Sequence, residues 1–245
     1  MITRLIILLL GLAAGLAAAG GAMADDVSLQ QANAAYNGKD YQKAASLYQQ
    51  LIDSRGYSAE LLFNLANSYA CQGMTGKAMV NYYRAGRLAP NDPDIKRNLV
   101  LLAKESGLFT EEKSLANSLV DRFTFNQWCI FALAGLTVFS MVYGSTCLVR
   151  IKKGVLIFSL VPALIAMLLA GAAAWVSFGS YHDAVIIGQE NILRISPFAT
   201  AGSAGSLPPG KRVKVLKKHH DFRLVQDKTG QSGWLEAANL EPINI

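Results

Sequence analysis

The sequence predicts a multidomain membrane protein: an all-α repeat solenoid, then a two-helix transmembrane hairpin, then a small all-β barrel. Three observations carry this. Three long stretches, 5–24, 123–149 and 154–182, contain no charged residue. The segment between the first two repeats with a period of 34 residues. After Tyr181 the apolar residues fall into short alternating runs punctuated by Gly, Pro, Asp and Ser. At 52% hydrophobic and 16% charged, the 245-residue chain is too apolar to be disordered.

The first uncharged stretch has the layout of a secretory signal over 1–24. Arg4 supplies the positive start, Leu5–Leu12 the apolar centre, and Ala22-Met23-Ala24 a small-x-small cleavage site before Asp25-Asp26. An uncleaved anchor is the alternative. The other two stretches have the roughly 20 apolar residues a bilayer core requires, and predict spans over 126–149 and 154–179.

The net charge of +6 suggests a nucleic-acid partner only until it is placed. Residues 25–122 carry 11 basic and 11 acidic side chains, and 183–245 carry 8 and 6. Half of the excess is Arg150, Lys152 and Lys153, in a loop at 150–153 between the two spans. Short positive loops stay cytoplasmic. Both flanking segments are therefore expected outside a bacterial cytoplasmic membrane, with no nucleic-acid partner. Trp128 and Trp175 fall near the outer ends of the spans, where aromatic belts form. Neither span holds an ionisable side chain, which argues against a pump or a pore. Ala166, Ala170 and Ala174 form a small-residue row suited to close helix packing.

Residues 25–106 carry the repeat. Positions 34 apart match as Ala32/Ala66, Asn33/Asn67, Ala44/Ala78, Tyr48/Tyr82, Asn64/Asn98 and Leu65/Leu99. The pattern resembles the tetratricopeptide repeat (TPR), most clearly over Ala59–Asp92. Small Ala66, Ala78 and Ala85 let two helices approach, Tyr69 and Tyr82 fill the gaps between repeats, and Pro90 stops the second helix. The first repeat, 25–58, is weaker, with Leu51 where a small residue is usual. Pro93–Ser106 reads as one capping helix with Ile95, Leu99 and Leu102 on a single face. The resemblance implies a concave surface for a peptide or protein. Asn33, Asn64 and Asn67 fall on first-helix positions that often line it, though each also reads as a solvated or intra-repeat asparagine. Leu29 stands where the carboxylate clamp of chaperone-binding TPRs has a Lys, so that chemistry is not carried over.

A linker, 107–125, leads to the hairpin, and 183–245 forms the last domain. Its expected strands are 184–187, 192–195, 213–216, 222–225 and 233–235. Leu193-Arg194 with Pro197, Leu207-x-x-Gly210-x-x-Val213-x-Val215, Gly233-Trp234-Leu235 and Asn239-Leu240 resemble the bacterial SH3 domain. Such domains usually bind peptides, cell-wall fragments or a neighbouring protein. Trp234 reads either as a contact or as core packing. The run Lys211–Lys218 alternates with Val213 and Val215 as a strand with a solvated basic face.

No catalytic set can be nominated, so the expectation is a non-enzymatic protein with no cofactor, no metal and no small-molecule substrate. Cys129 and Cys147 lie about 27 Å apart along one helix and cannot bond each other. Cys71 is read as a buried or inert thiol, the alternatives being a free reactive thiol or a bridge between chains. His219 and His220, adjacent on a strand, are expected on opposite faces, a poor geometry for a shared metal.

The order of segments resembles the BatE family of bacterial aerotolerance operons, as do Asn64-Leu65-Ala66-Asn67-Ser68-Tyr69, Ala78-x-x-x-Tyr82-Tyr83-Arg84-Ala85-x-x-Leu88-x-Pro90 and Asp94-Ile95-x-x-Asn98-Leu99. This resemblance implies a membrane-anchored adaptor acting beside membrane proteins with von Willebrand factor A domains in a stress-tolerance complex of the BatA/BatB/BatD type. The alternative is an envelope protein that grips peptidoglycan through its SH3-like domain.

Overall fold

The computed structural model describes residues 29–108, 115–148, 153–179 and 182–244. The expected signal, together with Arg150 and Lys152 of the expected loop, lies outside the described residues. Lys153 opens the second apolar helix.

Five helices come first: α1 (29–37), α2 (Tyr41–Arg55), α3 (Ala59–Cys71), α4 (Thr75–Leu88) and α5 (Pro93–Glu105). Connections of three or four residues make neighbours antiparallel. The starts are written locally. Asp40, Ser58 and Asp92 accept from the backbone N–H of Lys43, Leu61 and Ile95 at 3.1, 3.1 and 3.2 Å, and Pro93 occupies the first turn of α5. Helix α4 ends before Pro90. Ala32, Ala44, Ala66, Ala78 and Ala85 are fully buried, so the small residues set the spacing between helices. Leu51 is also buried, in the core of the first pair.

A short helix α6 (Leu115–Val120) precedes α7 (Phe125–Leu148) and α8 (Lys153–Gly179). Thr124 and Gln127 form a capping box at the start of α7: Thr124 N–H donates to Gln127 Oε1 at 2.8 Å, and Gln127 N–H to Thr124 Oγ1 at 3.3 Å. Phe125–Ser145 and Leu160–Gly179 are long and apolar enough to cross a bilayer, with mean hydropathy 1.6 and 2.1. The two helices pair antiparallel, since the Phe125 and Phe178 rings lie 6.2 Å apart. Their shared seam has a heptad spacing: Trp128, Ala132, Gly135, Phe139 and Val142 face Ala163, Met167, Ala170, Ala174 and Ser177. Ala170 and Ala174 are on this seam as expected, but Ala166 is exposed. A step of four back from Ala170 misses the 3.5-residue seam, where Met167 sits instead, and Ala163 lies one heptad before Ala170. Ala173, beside Ala174, is buried. Pro162 lies inside α8.

The last region is a seven-stranded antiparallel sheet, β1 (Asp183–Ile186), β2 (Ile192–Arg194), β3 (Ser203–Ser206), β4 (Arg212–His219), β5 (Phe222–Gln226), β6 (Ser232–Glu236) and β7 (Leu240–Pro242), in the order β3-β2-β6-β5-β4-β1-β7. Five strands and a barrel were expected; β3 and β7 are additional, and as the two edges they leave the sheet open. Its inner face still rolls around one cluster that joins Leu193 of β2 to Ala184 and Ile186 of β1, with Val213, Val225 and Leu235 between them.

The helices and the sheet meet in a further buried cluster. Met79 and Val80 of α4 and Ala103 of α5 pack on Val185 of β1 and on Ile243, each no more than 1% exposed. Contact is backbone-close. A Cβ on Gly76 would lie 2.5 Å from the Ile186 carbonyl oxygen and 2.6 Å from Ile187 Cα. Gly210, at φ 85°, donates its N–H to the same carbonyl at 2.7 Å, and a Cβ there would meet Leu108, Thr75 and Met79. Around this seam Arg84 donates to the Glu241 carboxylate at 2.6 Å and to the Pro242 carbonyl at 2.7 Å. Arg212, paired with Asp183 at 2.8 Å, stacks over Tyr83 at 5.3 Å.

Candidate functional site

Two surfaces contain the residues the sequence nominated. The first runs along α1, α3 and α5. Tyr48 Oη donates to Asn33 Oδ1 at 2.6 Å, and Tyr82 Oη donates to Asn67 Oδ1 at 2.5 Å. The same bond thus recurs 34 residues on, in each case from a buried tyrosine on a second helix to an asparagine on a first helix. Asn98 of α5 adds Nδ2 to Asn67 Oδ1 at 3.0 Å. Burial pushes the Tyr82 hydroxyl up to about 12, and burial followed by the nearby Glu60 charge raises Tyr48. Both phenols stay neutral donors at ordinary pH.

This geometry divides the three nominated asparagines. Asn33 and Asn67 are bound within the stack through their oxygens, and their Nδ2 groups are left without a partner among the described residues. The half-buried Asn64 amide makes no side-chain hydrogen bond among the described residues. Its carbonyl accepts from buried Ser68 Oγ at 2.9 Å. The oriented Nδ2 donors of Asn33 and Asn67 and the whole Asn64 amide can each engage a peptide backbone. Tyr69 packs against the helical core, with Lys77 over its ring at 5.4 Å.

Cys71, at the end of α3, is exposed rather than buried. Its sulfur lies 3.8 Å from Tyr36 Oη, and Tyr36 is pushed up to about 12 by burial and then by this contact. The buried reading failed because Cys71 falls in the last turn of α3, outside the Leu61–Ser68 run that faces the core.

The second surface is the outside of the sheet. Gly233 and Leu235 face the inner core, so Trp234 between them faces out, opposite Leu224 and Arg194 in the neighbouring strands. The outer face has two halves. Near β1 it carries Val185 and Arg212 and is covered by α4 and α5. Near β6 it carries Trp234, His219 and Phe222, and no helix among the described residues covers it. Trp234 is therefore half-buried and outside the inner core. Its ring lies 6.2 Å from His219, which lies 6.4 Å from Phe198.

His219 and His220 do not point to opposite faces. Their rings are 4.6 Å apart, because His220 and Asp221 form a two-residue hairpin turn and His220 adopts φ 45°. Among the described residues no three His, Cys, Asp or Glu side chains gather as metal ligands. The basic strand is partly committed: Lys211 pairs with Asp227 at 2.7 Å and Arg212 with Asp183, while Lys214, Lys217 and Lys218 are exposed.

No family model matches the chain, and no curated protein sequence matches it.

Proposed function

We propose that the chain is a non-enzymatic, membrane-anchored adaptor of the BatE type. In this reading α1–α5 are two TPR units and a cap, the sheet is an SH3-like module, and α7 and α8 anchor both on the outer side of a bacterial cytoplasmic membrane. The observation that carries the proposal is the buried cluster of Met79, Val80, Ala103, Val185 and Ile243. Sharing a core, the helices and the sheet must occupy the same side of the bilayer, and they present their surfaces in fixed relation. Such preorganisation lowers the entropic cost of holding a partner at two points.

The partner is an extended segment of a membrane protein, held by backbone hydrogen bonds to Asn33, Asn64 and Asn67; von Willebrand factor A-domain proteins of the same operon are the first candidates. Asn64→Ala is the sharpest probe, since that amide has no side-chain hydrogen bond among the described residues. Affinity capture from solubilised membranes should lose the partner several-fold with Asn64→Ala, while the melting temperature stays unchanged. Equal recovery by the variant and the parent would remove the asparagine face from the proposal.

A second reading draws on Trp234. Its outward ring, beside His219, suits stacking against a sugar of the cell wall. Co-sedimentation of the intact protein, in detergent, with purified peptidoglycan tests it: retention abolished by Trp234→Ala supports envelope binding, and no retention eliminates it.

A further inference from the structure

The last helix of a repeat stack ordinarily turns a polar outer face to water. Helix α5 does not. Its inner side is built from Ile95, Leu99, Leu102 and Ala103, while Pro93, Lys96, Arg97, Val100, Leu101 and Lys104 line a shallow groove on the opposite side. Val100 and Leu101 are 51% and 52% exposed. The charged residues that line the groove, Lys96, Arg97 and Lys104, are positive, and Asp94 and Glu105 stand at its Leu101 edge. Arg97 touches Asp94 at 3.3 Å in a solvated pair, and Lys96 and Lys104 have no ion partner among the described residues.

One contact ties the start of α5 to the entry of the hairpin. Asn91, just before α5, donates Nδ2 to the Arg122 carbonyl at 2.9 Å. Arg122 is three residues ahead of α7, where Phe123, Trp128 and Phe131 pack ring to ring at 5.1 to 5.8 Å and Trp128 Nε1 binds the Val120 carbonyl at 2.9 Å. Trp128, with an apolar ring and a polar N–H, is the kind of side chain that marks the headgroup level of a spanning helix. The start of α5 is thus tied to the headgroup end of the hairpin.

We propose that the outer face of α5 lies on the bilayer surface, with Val100 and Leu101 in the headgroup boundary and Lys96, Arg97 and Lys104 on anionic phospholipid headgroups. A helix with a basic and apolar face has the composition of an interfacial element. Each basic side chain near an anionic surface favours the contact by about five-fold. The helix would thereby fix the tilt of the whole outer body relative to the bilayer. This rests on α7 and α8 crossing the membrane, as proposed above.

The test is lysine-labelling mass spectrometry on the full chain in three settings: detergent, phosphatidylcholine nanodiscs and phosphatidylglycerol nanodiscs. Lys39, in the α1–α2 turn, and Lys43, in the first turn of α2, serve as internal references. Lys96 and Lys104 are expected to label several-fold more slowly in phosphatidylglycerol alone, and V100S/L101S is expected to reduce that protection. Equal labelling in all three settings overturns the inference. So does protection that persists in detergent, which would mean a protein segment covers the face. Slowing of equal size in both lipids overturns the anionic assignment. Failure of the chain to enter nanodiscs at all defeats the membrane reading itself, a separate and recognisable outcome.

Discussion

The helical stack and the sheet solve the same problem with opposite chemistry. Among the described helices the buried polar residues are Ser68 and Asn81, both neutral, and each donates to a carbonyl one turn back at 2.9 and 2.8 Å. The larger Tyr48 and Tyr82 hydroxyls are kept neutral by burial, and each donates to an asparagine. In the sheet region buried Asn191 is again neutral and donates to the Gly188 carbonyl at 2.7 Å, but the other buried group is an ion. The Asp227 side chain is fully buried and accepts from Thr229 N–H, Thr229 Oγ1 and Gln231 N–H at 2.9, 2.7 and 2.9 Å, with Lys211 at 2.7 Å. A helix offers spare carbonyl lone pairs every turn, so a weak donor suffices. A tight loop between β5 and β6 leaves N–H groups converging on one point, and a carboxylate is the strongest acceptor for them.

The largest test of this contrast is the seam that joins the two regions. Gly76→Val drives a side chain into the backbone at Ile186 and Ile187. We expect a loss of about 3 kcal/mol. Thermal unfolding followed by circular dichroism should then separate helix and strand transitions that coincide in the parent. Coincident transitions in the variant would mean that the two regions do not depend on this contact.

Next comes Asp227→Ala, expected to cost about 2 kcal/mol because it orphans buried N–H groups and strands Lys211. The same residue sets an acid limb. Burial alone would raise the Asp227 carboxyl, but Lys211, Thr229 and the Gln231 N–H outweigh it and hold it below its usual range. A lowered folded value means the contribution is complete above about pH 4 and is lost as pH falls further. Acid titration of the parent should therefore melt the sheet first, and Asp227→Ala should flatten that limb.

Tyr82→Phe is smaller, about 1 kcal/mol, since Asn67 keeps the Asn98 bond. Its pH signature has the opposite sign. With Tyr82 raised to about 12, the contribution is intact below about pH 10 and is lost as pH climbs toward 12. Helix ellipticity should fall in alkali before strand signal does, and less so in the variant. The smallest effect is expected for Trp234→Phe, about 0.5 kcal/mol in a denaturant melt, because the ring lies outside the inner core. A loss several times larger would return Trp234 to the core.

Much of this architecture was legible because it is local. Period 34 and the small alanines specify helices within a few positions, and missing charge marks the two apolar helices. Strand β3 was not legible, because Ser203-Ala204-Gly205-Ser206 has no apolar alternation and reads as a loop. Nor was β7, which ends in Pro242 and survives only because a sheet edge needs no donor there. The internal role of Asn33 and Asn67 had a visible signal: each has its tyrosine 15 residues later. Gly76 had none. Its requirement is imposed by Ile186, which no local pattern connects to it.

The shared cluster of Met79, Val80, Ala103, Val185 and Ile243 has a consequence for biosynthesis. On the proposed topology the membrane helices are an excursion out of a single folded body, leaving after α5 and returning at β1. The docking face of α4 and α5 is finished early in translation. Its other half does not exist until both crossings are made and the last residues, Ile243 among them, have been delivered. At ordinary synthesis rates that interval lasts seconds. Through it an apolar surface waits uncovered outside the membrane, so a chain truncated anywhere before β7 should emerge as a client of chaperones and proteases, with its helices intact and one side unfinished.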